Sequence, residues 1–424
     1  MRSMHADKNV FVESPTVCEE CDRVNPLPSF GAGQRVNCWH CGHTLVKWPV
    51  NVLDRLIGYG IACVLMLILA LSFTFLGFSA YGTGQSTTLA RTVSTLLDYD
   101  YLLLGSILCV ALFVLPLVYL LVVMYLAFGL RIKRSLPGML FLSRWYSVLQ
   151  PWLLVDVFMV AVLVAMVKLR SMVDISLGHS FWAFCGYALL LDKIVSLVDK
   201  RWLWHQVAGR APECTELRSE TARDQGVSGC HCCGAVVTDD HGLCHRCRHT
   251  VNDRQPASLQ RTLALLFAAI VMYVPANVFP IMDTVSLGNS ESSTIIGGVF
   301  MLWRMGSYPV ALIILLASVL IPLFKIISLF WLCWQCKRRE PISPVPKMKL
   351  YRVMELIGRW SMIDVFVVAT LVGLIQMGNL MSVMPGPAAV PFAAVVVLTM
   401  LATKNFDPRL LWDNSIEVHR ENIS

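Results

Sequence analysis

The chain has 424 residues, of which 56% are hydrophobic and only 15% are charged, and its formal net charge is +7. Soluble domains are about 25% charged, so this composition excludes an ordinary soluble enzyme and favours a protein embedded in a membrane. The N-terminal region is polar and contains four cysteines before the first apolar segment. It does not match a signal peptide, and we expect the first apolar segment to target the chain to the membrane.

Eight apolar segments have the length of a transmembrane helix, which is about 20 residues. They are Leu53–Phe78, Leu102–Phe128, Pro151–Leu169, Phe181–Val198, Leu259–Met282, Pro309–Trp334, Ile357–Met377 and Gly386–Thr403. These segments predict an all-α polytopic membrane protein.

Basic residues indicate which loops face the cytoplasm. They are concentrated between the second and third segments and between the sixth and seventh segments. The two groups are Arg131, Lys133, Arg134 and Arg144, followed by Lys337, Arg338, Arg339, Lys347, Lys349 and Arg352. The alternate loops 79–101, 283–308 and 379–385 are poor in basic residues. We therefore expect both termini to be cytoplasmic, with the alternate loops outside.

An internal repeat runs through the chain with a period near 208 residues. The segment Trp152–Phe158 matches Trp360–Phe366, and Asp199–Trp204 matches Asp407–Trp412, both 208 positions apart. Each half contains four predicted helices, and an even number makes the two repeats parallel. Inverted repeats would need an odd number.

The repeat divides the chain into four predicted regions. Ribbon 1 occupies residues 1–47, and repeat 1, with four helices, occupies 48–205. Residues 206–256 form a linker and ribbon 2, and residues 257–424 form repeat 2 with a cytosolic tail.

Each ribbon carries two C-x-x-C pairs. The predicted ligand sets are Cys18, Cys21, Cys38 and Cys41 in ribbon 1, and Cys230, Cys233, Cys244 and Cys247 in ribbon 2. Cytosolic C-x-x-C pairs of this spacing indicate metal ligands rather than disulfides. We predict one zinc ion per ribbon, with rubredoxin-like iron and redox-active dithiols as alternatives. Cys232 is expected to be a spare thiol, although an exchange with Cys230 or Cys233 stays open.

A closed four-thiolate site leaves no coordination position for catalysis. The ribbons are therefore expected to be structural or to dock proteins. Nucleic-acid binding is not expected, because ribbon 1 lacks a basic stripe and both ribbons are tethered to a membrane. A further C-x-x-C pair, Cys333 and Cys336, lies at the predicted end of the sixth helix and has a structural or a redox interpretation.

Ionisable residues within predicted spans indicate a functional site. Lys325 and Asp364 are each predicted to lie roughly 10–12 Å from the same membrane face, where they can pair. Ser318 shares a helical face with Lys325, Ser361 shares one with Asp364, and Thr399 is positioned to join them. Repeat 1 keeps Asp156 but has Tyr119 at the position of Lys325, so Asp156 is expected to be a lone acid.

Three interpretations of this polar pocket stay open. The pair locks two helices together, it handles substrate or switches the conformation, or its side chains extend to the membrane interface. A second unusual feature is the motif Pro275, Asn277 and Pro280, which predicts a helix break near the end of the fifth helix. The carbonyls freed by the two prolines need partners within the protein.

The two ribbons, the Pro-Ala-Asn-x-x-Pro motif, Gly358–Phe366 and the ending Asp407–Asp413 together resemble the paraquat-inducible protein A family. The resemblance covers almost the whole chain. Repeat 1 departs from it, because His205 replaces the last aspartate and the proline motif is missing.

The resemblance implies a bacterial inner-membrane protein that works with a periplasmic MCE-domain tunnel protein to move phospholipid between two membranes. The alternatives are a non-transporting anchor or assembly factor for the tunnel and a membrane redox protein. The sequence contains no Walker A motif, so we do not expect the chain to hydrolyse ATP or to be an enzyme.

Overall fold

The structure is a computed structural model. It describes residues 10–11, 15–27, 30–80, 83–98, 102–134, 136–169, 174–209, 218, 220–238, 242–286, 289–304, 306, 308–338, 344–374 and 381–413. Helices dominate these residues, and short strands form the ribbons and one end of each repeat.

Ribbon 1 consists of three two-stranded antiparallel pairs, each formed by neighbouring or nearly neighbouring segments. The strands are β1 (Val10–Phe11), β2 (Thr16–Val17), β3 (Val24–Asn25), β4 (Phe30–Gly31), β5 (Arg35–Asn37) and β6 (Thr44–Lys47). Strand β1 pairs with β4, β2 with β3 and β5 with β6.

Repeat 1 contains four long helical segments and additional shorter elements. They are α1 (Val52–Ser72), β7 (Leu76–Ala80), β8 (Thr83–Thr87), α2 (Leu89–Asp98), α3 (Leu102–Cys109), α4 (Leu115–Ile132), α5 (Met139–Leu149), α6 (Val155–Leu169), β9 (Asp174–Leu177), α7 (His179–Leu197) and α8 (Lys200–Ala208). A π-helical turn, Val110–Val114, joins α3 to α4.

Ribbon 2 and repeat 2 follow the same order. The elements are β10 (Val227–Gly229), β11 (Val236–Thr238), α9 (Ser258–Val278), β12 (Met282–Ser286), β13 (Asn289–Ser293), α10 (Ile295–Arg304), α11 (Tyr308–Leu315), α12 (Ile321–Gln335), α13 (Pro344–Trp360), α14 (Ile363–Leu374), β14 (Met381–Pro385) and α15 (Ala389–Asn405). A π-helical turn, Leu316–Leu320, again joins two helices.

Seven helical segments among the described residues are long and apolar enough to cross a membrane. The eighth predicted span corresponds to α15, which is apolar but has only 17 residues. At 1.5 Å per residue, α15 is about 25 Å long. The seven spanning segments support a multi-pass membrane protein, and α15 falls short because residues 381–385 form strand β14 instead of extending the helix.

Two predicted helices extend too far. The predicted Leu53–Phe78 ends at Ser72, and the predicted Leu259–Met282 ends at Val278. In each repeat the next residues form the central strand of a three-stranded antiparallel sheet, β8-β7-β9 or β13-β12-β14. The sheet pairs the backbone groups that a longer helix would have paired internally. The apolar residues Leu76 and Phe78 are buried there, which explains why composition alone suggested a helix.

A glycine is required where α7 in repeat 1 and α15 in repeat 2 begin beside their sheets. A Cβ atom at Gly178 would lie 1.9 Å from the carbonyl oxygen of Thr74, and one at Gly386 would lie 2.3 Å from that of Pro280. The two glycines are 208 positions apart. Close backbone approach therefore fixes the same sheet-to-helix junction in both repeats.

The seventh predicted span, Ile357–Met377, is divided in the structure. Helix α13 ends at Trp360, α14 begins at Ile363 after a short turn, and residues 375–377 lie outside the described part of the chain. Helix α14 packs against α6, its counterpart in repeat 1. The rings of Phe158 and Phe366, which occupy matching positions, meet edge to face with centroids 5.7 Å apart. The repeats thus join through equivalent residues.

The ribbons lie together at one end of the helices, which we call the ribbon side, and the two sheets lie at the opposite end, the sheet side. Residues Val17 and Val24 of ribbon 1 form a small buried cluster with Ala222, Val227 and Val236 of the ribbon 2 region. The backbone of Arg23 also bridges to that of Thr221. The two ribbons therefore form one continuous unit.

Candidate metal centres and transmembrane polar site

The four predicted ligands of ribbon 1 converge. The Sγ atoms of Cys18 and Cys41 are 3.5 Å apart, and those of Cys21 and Cys38 are 3.6 Å apart. All four lie within 4.8 Å of one another. Sulfurs around a tetrahedral zinc ion, at 2.3 Å each, are separated by roughly 3.8 Å. The donor set and spacing therefore fit a metal ion held by four thiolates.

Ribbon 2 has the same arrangement. The Sγ atoms of Cys230 and Cys247 are 3.5 Å apart, as are those of Cys233 and Cys244. Cys232 is buried beside this set but is not part of it. All eight ligand cysteines are free thiols. Both ribbons can thus hold one metal ion each.

Each ribbon docks on the other half of the chain. Arg352, from α13 of repeat 2, donates a hydrogen bond to the carbonyl oxygen of Cys41 in ribbon 1 at 2.9 Å. Arg144, from α5 of repeat 1, donates to the carbonyl oxygen of Cys247 in ribbon 2. The two arginines are 208 positions apart and bind the last ligand of opposite ribbons. In the sequence these arginines indicate only the cytoplasmic side, so their docking role could not be predicted from it.

The tryptophans at the repeat ends follow the same crossed pattern. Trp204 ends the segment Asp199–Trp204 of repeat 1 and is fully buried against the cysteines of ribbon 2. Trp412, its counterpart in repeat 2, packs on His40 of ribbon 1 with ring centroids 4.7 Å apart. Each repeat end therefore supports the metal site of the other half, and each ribbon connects the two repeats.

A buried charge network surrounds the contact between the ribbons. Arg254 donates to Asp413 at 2.7 Å and to Asp22 at 3.0 Å. Arg409 pairs with Asp407 at 2.9 Å and lies 3.7 Å from Asp22. Burial alone would raise the pKa of Asp407, but the Arg409 guanidinium keeps this pKa below its usual value. Asp22 of ribbon 1 is thus held by residues of ribbon 2 and the C-terminal segment.

A carboxylate neutralises the docking arginine of repeat 2. Glu20 lies between Cys18 and Cys21 and accepts hydrogen bonds from both Arg352 and His43. Burial alone would raise the pKa of Glu20, but these two hydrogen bonds outweigh it and lower the pKa. The same contact raises the pKa of His43. The Arg352–Glu20 pair therefore remains charged at neutral pH.

The structure brings Lys325 and Thr399 together within repeat 2. The Lys325 ammonium donates to the Thr399 hydroxyl at 3.1 Å, and Thr399 donates to the carbonyl oxygen of Val396 at 3.0 Å. Lys325 and Thr399 are completely buried, and Ser318 lies in the π-helical turn with 3% exposure. A lysine enclosed in this way needs polar partners, because burial of an unpaired charge is costly.

Asp364 and Ser361 are also buried, at the start of α14 and in the turn before it. Among the described residues, the hydrogen bond of the Lys325 ammonium goes to Thr399 and not to Asp364. The interaction between these two residues stays a prediction.

The expectation that Asp156 is a lone acid is wrong. Arg359 of α13 pairs with both carboxylate oxygens of Asp156, at 3.0 and 3.1 Å, and also donates to the carbonyl oxygen of Leu153. Asp156 therefore connects repeat 1 to repeat 2, and its membership of the polar pocket stays a prediction. Arg359 lies in the Gly358–Phe366 motif, but repeat 1 has Pro151 at the matching position, so internal comparison could not reveal the pair.

The proline motif does not break α9 at Pro275. The helix continues through Pro275 to Val278, and the side chain of Asn277 donates to the carbonyl oxygen of Tyr273 at 2.9 Å. Pro280 follows the helix, and its carbonyl oxygen accepts from the backbone of Ala388 at 3.1 Å. The motif thus ends the helix and joins it to the start of α15.

The pair Cys333 and Cys336 lies at the ribbon-side end of α12. Cys333 is buried and Cys336 is half-buried. Their position in the last helical turn agrees with the structural interpretation, and the redox interpretation stays open.

These features define a class of protein: a polytopic membrane protein with two homologous repeats joined by paired four-cysteine ribbons. The family model described as paraquat-inducible protein A matches the chain twice, at residues 53–208 and 259–415. The chain therefore belongs to the paraquat-inducible protein A family, and the double match confirms the internal repeat.

Three curated proteins illustrate the similarity. Intermembrane transport protein PqiA of Escherichia coli strain K12 is 38% identical over 427 residues, covering 98% of each chain. Lipophilic envelope-spanning tunnel protein A of the same strain is 29% identical, covering 93% of this chain and 90% of its own length. A probable intermembrane transport protein of Haemophilus influenzae is 28% identical, covering 93% and 95%. No solved structure matches. These names describe transport components and not enzymes, in agreement with the expectation for this chain.

Proposed function

We propose that the protein is the inner-membrane component of a lipid transport system, in which repeat 2 loads or accepts phospholipid for a periplasmic MCE-domain tunnel protein. The names of the relatives support intermembrane transport. The observation that carries the site is the completely buried Lys325–Thr399 contact inside a helix bundle. An ammonium group that donates to a neutral hydroxyl can also donate to a phosphate oxygen.

Three of the polar positions in repeat 2 have apolar or aromatic counterparts in repeat 1. The positions of Ser318 and Lys325 correspond to Leu112 and Tyr119 in repeat 1, 206 positions earlier. Thr399 corresponds to Leu191, 208 positions earlier. The three counterparts are buried apolar or aromatic residues. A requirement for packing alone would be met by such residues in both repeats, so the difference supports a ligand-handling role for Ser318, Lys325 and Thr399.

In the proposed topology the ribbon side is cytoplasmic and the sheet side is periplasmic. The basic loops support this orientation. The two repeats are then parallel, both termini are cytoplasmic, and the sheets with helices α2 and α10 face the tunnel protein. We further propose zinc as the metal in both ribbons, since four thiolates form a closed tetrahedral site. No nucleic acid takes part.

The proposal is tested by photo-crosslinking. A benzophenone amino acid is placed at Ser318, at Ile327, which is 58% exposed on α12, and at Leu112 as the matched position in repeat 1. Cells are labelled with radioactive phosphate and irradiated, and the purified protein is assayed for attached phospholipid. We expect labelling at Ser318 that decreases with Lys325→Ala or Asp364→Asn, and little labelling at Leu112.

Labelling at Ile327 alone would contradict a lipid site in the bundle. It would leave the chain as a non-transporting anchor or assembly factor for the tunnel. Labelling of equal strength at Ser318 and Leu112 would contradict the restriction of the site to repeat 2.

A further inference from the structure

A second polar cavity lies on the ribbon side, outside the Lys325 site. It has a volume of about 430 Å³ and lies where α5, α8 and ribbon 2 meet. The residues that matter for its chemistry are Arg144, Trp145, Val148, Lys200, His231 and Cys232. We call it the ribbon 2 cavity.

The matching place in the other half contains a carboxylate. Arg352 docks on ribbon 1 and is neutralised there by Glu20, the second residue between Cys18 and Cys21. Arg144 docks on ribbon 2 in the same way, but the second residue between its first two ligands is Cys232. Ribbon 2 therefore lacks the carboxylate that balances the arginine in ribbon 1, and a cavity lies in its place.

Hydrogen-bond donors point to an anionic ligand. The Arg144 Nε atom is buried and has no hydrogen-bond partner among the described residues. Lys200 also lines the cavity, where its ammonium donates to Glu19 and to the carbonyl oxygen of His231. Arg144 and Lys200 thus lie near one carboxylate, Glu19. An arginine with a buried, unused Nε donor favours an anion that can accept several hydrogen bonds.

The cavity extends to the membrane boundary. Gln150 lines it directly after α5 and lies within the spanning segment Met139–Val167. On α5, Phe141, Trp145 and Val148 are 58%, 47% and 58% exposed. They share one helical face, and an exposed tryptophan is typical of the membrane interface. An occupant therefore meets cationic groups on one side and an apolar surface on the other.

We propose that the ribbon 2 cavity binds the phosphate group of an anionic phospholipid from the ribbon-side leaflet, with Arg144 and Lys200 as its cationic partners. Basic pockets beside transmembrane helices bind lipid headgroups in this way. The lipid's chains follow the exposed face of α5. This site is independent of the proposed transport role of Lys325, because it uses different residues in the other repeat.

The test uses the full-length protein in detergent and native mass spectrometry with added phosphatidylglycerol. Arg144→Gln removes the cation, and Cys232→Glu adds the carboxylate that occupies the matching place in ribbon 1. The control is Arg131→Gln, which removes an equal charge from an exposed pair with Asp54. Metal content per chain and the elution profile verify folding. We expect both cavity variants to bind phosphatidylglycerol roughly tenfold more weakly than the control, the loss of one charge-assisted contact.

Equal binding by Arg144→Gln, Cys232→Glu and Arg131→Gln would overturn the proposal. Phosphatidylcholine and inorganic phosphate are tested as two further ligands. If both bind more weakly than phosphatidylglycerol, the site prefers an anionic lipid. If inorganic phosphate binds as tightly and displaces the lipid, the site takes a soluble phosphate and the lipid assignment is wrong.

Discussion

Repeats 1 and 2 share their elements but differ in what their interiors contain. In repeat 1, Tyr119 stacks on Tyr146 with ring centroids 5.5 Å apart, within an apolar bundle. In repeat 2, the matching position is Lys325, which donates to Thr399. A shared backbone arrangement thus tolerates both an aromatic stack and a buried ammonium. This difference is the basis for the ligand site proposed in repeat 2.

The ribbons show the opposite relation. Their docking is nearly identical, because Arg144 and Arg352 bind the last cysteine of the opposite ribbon. Trp204 and Trp412 repeat the crossed pattern. A metal ion bound in either ribbon would therefore stabilise the connection between the repeats as well as the ribbon itself. The following predictions are ordered by their expected effect on stability.

Loss of one metal site should have the largest effect. Structural metal binding contributes on the order of 10 kcal/mol to small ribbons, and both ribbons share a buried cluster. We expect Cys247→Ser to expose ribbon 1 as well as ribbon 2 to proteolysis, measured by fragment analysis and metal content. Cys232→Ser is the control and should keep two metal ions. Protection of ribbon 1 in the Cys247→Ser protein would show that the ribbons are independent.

Arg409→Ala should have the next largest effect. It leaves the buried carboxylates of Asp407 and Asp22 without this cation, and breaking a buried pair costs about 3–5 kcal/mol. The measurement is the midpoint of thermal unfolding in detergent. The counterpart Arg201→Ala should cost less, because Asp199 is held by the backbone N–H groups of residues 201 and 202, whereas both carboxylate oxygens of Asp407 accept from the Arg409 guanidinium. Equal effects would show that the two C-terminal motifs carry equal electrostatic roles.

The ion pair between Arg359 and Asp156, which joins the repeats, should contribute about 1 kcal/mol to stability. The contribution is small because both side chains are partly exposed, 39% for Arg359 and 29% for Asp156. A double-mutant cycle with Arg359→Gln and Asp156→Asn measures the coupling by unfolding. The same cycle on Arg131 and Asp54, whose side chains are 60% and 65% exposed, is the control. A coupling no larger than that of the control would remove any role for the pair in joining the repeats.

Replacing the polar contact of repeat 2 should have the smallest effect on stability. Lys325→Met combined with Thr399→Val should leave the unfolding midpoint unchanged or higher, because apolar replacement of a buried polar pair is often neutral or stabilising. Lipid transfer between the membranes should nevertheless be lost. Tyr119→Phe in repeat 1 is the control for both measurements. A destabilised double variant would favour the helix-locking interpretation of Lys325.

Much of this organisation could be predicted from local signals. The spacing of the eight cysteines predicts two four-thiolate sets because each C-x-x-C pair places two sulfurs on one turn. The motifs around Asp156 and Asp364 reveal the repeat. The polar residues Lys325 and Thr399 are conspicuous within apolar segments, so their burial together follows from helix periodicity and span length.

Contacts between distant residues could not be predicted in the same way. The partner of Asp156 is Arg359, because packing of α6 against α14 brings the end of α13 to the start of α6. The two sheets arise because strands far apart in sequence, such as β7 and β9, pair their backbone groups. The two four-cysteine sets, the repeat and most spans could be predicted from the sequence, because they depend on local spacing and composition. Only the tertiary structure decided the crossed docking of the ribbons and the ion pairs between the repeats, because those depend on which surfaces the fold brings into contact.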